Sequence, residues 1–90
     1  MKNVERIRAE LRAELALLRV AERESNRLDE LWNTEPENEK MEAEWDAAYR
    51  QEHEIFDKCI GLLVKLTGVT RGTAYTMLQT RRDRIEDIVG

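Results

Sequence analysis

Apolar residues recur at three- and four-residue spacing along most of this chain, and that rhythm constrains the fold more than any other feature. Val4, Ile7, Leu11, Leu15, Leu18, Ala21, Leu28 and Trp32 make one stripe. Met41, Trp45, Ala48, Ile55, Cys59, Leu62 and Leu66 make a second. The period is that of a helix face. Leu17, Val20 and Leu31 widen the first stripe, as do Tyr49, Phe56, Ile60 and Leu63 the second. Glu14 and Ser25 interrupt one stripe and Glu52 the other.

The only proline, Pro36, lies between the stripes. The pattern predicts a helix over 3–33 and another over 35–66, with Thr34 as N-cap and Pro36 in the first turn, where its missing N–H is harmless. Glu35, Glu37 and Glu39 would favour that N-terminus electrostatically. Two helices of this length joined by so short a turn must run antiparallel. Pairing across the turn sets Leu28 by Trp45, Ser25 by Ala48, Ala21 by Glu52, Leu18 by Ile55, Leu11 by Leu62 and Ile7 by Leu66. Both ends of the hairpin are apolar. Its middle is small or polar, a place for the helices to separate or for a partner to enter.

A lone hairpin leaves apolar surface uncovered, so a C-terminal helical cap is expected. Gly68 suits a left-handed helix end, and Thr70 can cap a following helix over Arg71 to Arg82. Ala74, Met77 and Leu78 would point inward, and a last short turn offers Ile85, Ile88 and Val89. The expected fold is all-α: a long, coiled-coil-like antiparallel hairpin with a short cap over 70–89. Residues 1–90 read as a single domain. A homodimer would complete a four-helix bundle.

Composition agrees with long helices: 38% of residues are charged, 41% hydrophobic, and only four are glycine. One cysteine allows no internal disulfide, which suits a reducing cytoplasm. The N-terminus has no apolar signal region, and no run is long enough to span a membrane.

The net charge of −4 is unevenly placed. Residues 34–60 hold nine acidic and three basic groups, whereas residues 61–90 hold five basic and three acidic. Two surfaces of opposite sign follow.

The basic one includes Thr67-Gly68-Val69-Thr70-Arg71-Gly72-Thr73-Ala74-Tyr75, within residues 60–78. This stretch resembles the helix-turn-helix of bacterial transcription regulators, in its TetR-like spelling. Gly68 takes the turn position, Val69 the apolar plug and Thr70 the cap, with Ala74 and Met77 inward. The resemblance implies DNA binding, with Arg71, Thr73, Tyr75 and Thr76 facing the major groove and Lys65, Arg81, Arg82 and Arg84 on phosphates. The same residues also suit a plain helical corner closing the hairpin, or a protein contact.

The acidic surface centres on Glu42, Glu44 and Asp46, beside Trp32, Trp45 and Tyr49 near the hairpin tip. Pairing with Arg19, Arg23 and Arg27 across the hairpin is its plain reading, with the aromatics simply packing together. Its sharper reading is an inhibitor or adaptor that imitates a phosphate backbone and binds a nucleic-acid-processing protein, by analogy with small acidic helical proteins of phages and mobile elements. A purely structural assembly module is a third possibility.

Nothing points to catalysis or a cofactor. His53 and Asp57 share a helix face, but zinc takes three or four protein ligands. Cys59 lies in an apolar stripe, as a buried cysteine would. The many carboxylates alternate with arginines, as on solvated helix faces. We therefore expect a cytoplasmic, non-enzymatic interaction protein with no small-molecule substrate.

Overall fold

A computed structural model describes residues 2–34 and 39–90. The chain is all-α: α1 spans Lys2–Thr34, α2 Glu39–Thr67, α3 Arg71–Thr80 and α4 Arg82–Val89. No strand occurs among the described residues. The long helices end within one residue of the expected limits wherever the backbone is described. The expected roles of Glu35, Pro36 and Glu37, and of the Glu39 and Met41 side chains, lie outside the described residues.

Thr34 is the last residue of α1, and its hydroxyl donates to the Leu31 carbonyl at 2.9 Å, a bond within its own helix. Its expected cap on the following helix lies outside the described residues.

α1 and α2 run antiparallel. Asp29 meets Trp45, Ser25 meets Glu52 and Glu14 meets Lys58, with numbers falling on one helix as they rise on the other. At about 1.5 Å per residue, the 33 residues of α1 account for the 52 Å long axis. The small, polar middle of the hairpin is closed by a hydrogen bond. Ser25, 5% exposed, donates to Glu52 Oε2 at 2.8 Å. Glu52 lies one helical turn from Ala48, the residue expected opposite Ser25.

The main core lies at the open end of the hairpin. Leu11, Leu15 and Leu18 of α1 pack with Cys59, Ile60 and Leu63 of α2, Ala74 and Leu78 of α3, and Ile85 and Val89 of α4. Each such large side chain contributes about 1.5–3 kcal/mol by leaving water. Leu18→Ala would remove about 2–5 kcal/mol, because the hole left behind adds to the lost burial. Leu28 is buried further towards the tip.

The cap forms for local reasons. Gly68 adopts φ +76°, a region where a side chain is strained, and its N–H closes on the Val64 carbonyl at 2.8 Å. Val69 then packs against the core. Thr70, extended at φ −70° and ψ 159°, accepts the Thr73 N–H on its side chain and so caps α3.

The segment expected as a last short turn is a helix of its own. α3 ends where Thr76 and Thr80 bond back to Gly72 and Thr76 carbonyls, and Arg81 breaks the line at φ −134°. β-branched threonines bonding backwards weaken a helix, so a break here is expected chemistry. α4 is held to α1 by three arginines. Arg12 donates to the Val89 carbonyl, where the negative end of the helix dipole lies. Arg19 pairs with Glu86, and Arg82 with Glu22. No helix among the described residues is long and apolar enough to cross a membrane.

Candidate functional site

The C-terminal corner presents Arg71, Thr73, Tyr75 and Thr76 on the exposed side of α3. Their hydrogen bonds are already partly committed. Arg71 Nη2 lies 2.5 Å from Asp57 Oδ1 of α2. The Thr73 N–H and hydroxyl both engage the Thr70 hydroxyl, and Thr76 bonds the Gly72 carbonyl. Tyr75 stands edge-on to Phe56, with ring centres 5.4 Å apart, and accepts from Gln79 at 3.1 Å.

The corner's cations divide into two sets. Arg82 points inward: it is half-buried, bidentate on Glu22, and donates to the Leu78 carbonyl at 3.2 Å. Arg71 pairs with Asp57, both side chains largely exposed. Lys65, Arg81 and Arg84 are exposed, and no ion pair among the described residues engages them.

At the other end, Trp32 and Trp45 are half-buried and share a cleft of about 200 Å³ with Asp29, Glu42 and Asp46. The Trp45 indole N–H donates to Asp29, and Tyr49 stacks on Trp45 at 5.1 Å and 20°. Glu44 is exposed. Of the arginines expected to neutralise this face, Arg23 has no ion-pair partner among the described residues, and Arg19 pairs with Glu86 of α4. Arg27 pairs with Glu24 in its own helix, with the Glu44 charge acting on it more weakly. That pairing lowers the Glu24 pKa and raises that of Arg27, through the hydrogen bond first. Both groups are exposed. Glu42, Glu44 and Asp46 have no ion-pair partner among the described residues.

A third feature joins these two ends. Glu22 of α1, Tyr49, Glu52, His53 and Phe56 of α2, and Tyr75 and Gln79 of α3 line a cleft of about 210 Å³. Tyr49 and His53 meet edge-to-face at 4.8 Å. Sequence spacing alone does not bring all of these side chains together. Tyr49, Glu52, His53 and Phe56 do share one helix face at three- and four-residue spacing, and that signal was readable. The arrival of Tyr75 was not, because it depends on where α3 lands.

Cys59 is buried in the core at 1% exposure. Burial pushes its thiol up to about 12, helped by the negative charge of Glu14 and Glu22 and opposed by Arg82. A thiol held protonated is not a nucleophile at neutral pH. Among the described residues, no group of three His, Cys, Asp or Glu side chains is placed to hold a metal ion.

The geometry therefore offers an acidic, aromatic edge along α2 and a corner with three uncommitted cations. No family model, curated protein or solved structure matches this chain.

Proposed function

We propose that this chain is a non-enzymatic interaction protein that captures a basic protein segment on the acidic edge of α2. The observation that carries this reading is that, among the described residues, Glu42, Glu44 and Asp46 have no ion-pair partner around the half-buried Trp32 and Trp45. Aromatic side chains with a polar tip are strong anchors at protein interfaces. Exposed carboxylates without cations steer and select a basic partner. The edge thus combines an anchor with a charge signature. A nucleic-acid-processing protein, whose surface is basic, fits that signature.

Isothermal titration with a lysine- and arginine-rich peptide tests the reading. Heat should be released at low salt and fall as salt rises. Reversal of Glu42, Glu44 and Asp46 to lysine should abolish it. Unchanged binding in the reversed variant would refute the proposal.

A second reading, a DNA-binding regulator, is favoured by the corner itself. The left-handed Gly68, the packed Val69, the Thr70 cap and the exposed Lys65, Arg81 and Arg84 support this reading. It ranks second because Arg71 and Arg82, two of its intended contacts, are held by Asp57 and Glu22. Phosphate neutralisation supplies most non-specific DNA affinity, and three remaining cations supply little of it.

Self-association accompanies either reading. Ala13, Ala16, Leu17 and Val20 are exposed on the outer face of α1 at helical spacing, with Leu17 at 52% and Val20 at 61%. An antiparallel pairing that sets Leu17 against Val20 of the partner subunit also sets Glu10 against Arg27 of the partner subunit. A parallel pairing would instead oppose Glu10 to its own copy, and Glu24 likewise. Charge therefore favours an antiparallel homodimer through α1.

A further inference from the structure

We infer that the cleft between α1, α2 and α3 is a receptor for one organic cation, an alkylammonium or alkylguanidinium group. It deepens the reading of α2 as a surface for basic partners, and so rests on that reading for its biological context. It shares Tyr49 with the hairpin tip but none of the tip's carboxylates.

The walls supply what such a cation needs. Tyr49, Phe56 and Tyr75 bring three aromatic rings to one small space, with the His53 ring beside them. Ring faces carry the negative lobes of the aromatic quadrupole and attract cations that have shed part of their water. Two carboxylates, Glu22 and Glu52, complete the lining. Glu22 is matched by Arg82, which stands behind it and does not line the cleft. Among the described residues, Glu52 is matched only by the neutral Ser25 hydroxyl, on Oε2. One carboxylate charge is thus left over for a ligand, and an anion is disfavoured.

Size narrows the class further. Drug- and cofactor-sized sites hold roughly 300–1,000 Å³. At about 210 Å³ the cleft suits a side-chain head with its alkyl stem. Tyr49 and Tyr75 are 45% and 50% exposed, so a chain running over the surface can reach in without the helices opening. A lysine or arginine of a bound partner and a free small amine share this chemistry.

The test is an NMR titration of the whole protein, read at the ring protons of Tyr49, Phe56 and Tyr75. The probes are n-butylammonium, n-butylguanidinium and, as the neutral control, 1-butanol. The two cations should move the same rings with dissociation constants on the order of 1–10 mM, and butanol should not. Tyr75→Ala should weaken binding about three- to five-fold, with Tyr75→Phe largely retaining it. Glu52→Gln should weaken it by a similar factor while leaving the helical circular dichroism unchanged. Equal shifts with butanol, or no ring shifts with either cation, would overturn the inference.

Two further arms separate it from the proposed function and identify the source of the cation. The Glu42, Glu44 and Asp46 reversal should leave butylammonium binding in place, so failure of the tip and failure of the cleft are distinguishable. A capped lysine peptide that moves the same rings at lower concentration than butylammonium assigns the cation to a partner's side chain. The opposite order assigns it to a free amine.

Discussion

The Arg82 guanidinium grips the Glu22 carboxylate at two points, 2.5 and 3.1 Å, across 60 residues of sequence. This pair ties the C-terminal cap to the middle of α1. It also withdraws from the corner a cation that the sequence offered for phosphate contact. Arg82→Ala should lower the unfolding free energy by about 1–2 kcal/mol, because a half-buried Glu22 loses its charged partner. Urea denaturation checks this. The same variant should leave any affinity for duplex DNA unchanged, since the side chain faces inward.

The corner's shape depends on two backbone choices. Gly68→Ala places a side chain at φ +76° and should destabilise by about 1–2 kcal/mol. Thr70→Ala removes the acceptor for the Thr73 N–H and should lose about 1 kcal/mol. Thr70→Asp should retain stability, because aspartate caps as well as threonine. Thermal melts of the three variants compare them directly.

Cys59 links burial to pH. Its thiol is raised from an ordinary value of 9.0 to about 12. The folded state therefore holds this proton more tightly than the unfolded state. The stability this contributes is complete below pH 9 and is lost as pH rises from 9 towards 12. Chemical denaturation across that window should show a falling midpoint, and Cys59→Ala should flatten its slope. The folded thiol should also resist a disulfide reagent that modifies it rapidly in denaturant.

Much of the fold was legible from residue spacing. The helix limits, the inward positions Ala74 and Leu78, and the Gly68–Thr70 turn are local properties of the chain, and local patterns predict them. Thr34 bonds back to its own helix, which a threonine does as readily as it caps the next one, and sequence does not separate the two. α4 exceeds the short turn its spacing predicts because its eight residues are held by Arg12, Arg19 and the core. The ion pairs were the least legible part. Arg19, Arg71 and Arg82 each had several carboxylates within reach on paper. Only the packing of α3 and α4 decided among Glu86, Asp57 and Glu22. That choice left Glu42, Glu44 and Asp46 with no ion-pair partner among the described residues.

The outer face of α1 gives a separate expectation. Leu17→Glu with Val20→Glu should yield a monomer without loss of helicity, because both side chains are exposed in the single chain. Light scattering of the parent protein at high micromolar concentration should give twice the chain mass. A parent protein that is monomeric there removes the dimer. Glu10→Arg should weaken association, and Glu10→Arg with Arg27→Glu should restore it.

Capture of a basic partner is tested most directly by fluorescence anisotropy, with a labelled basic peptide and a labelled DNA duplex presented to the same protein at the same salt concentration. The peptide should bind, the duplex should not compete, and the Glu42→Lys, Glu44→Lys, Asp46→Lys variant should lose at least about ten-fold in affinity, or about 1.4 kcal/mol. Duplex binding that weakens steeply with salt and with Arg81→Ala, alongside an inert peptide, would contradict it.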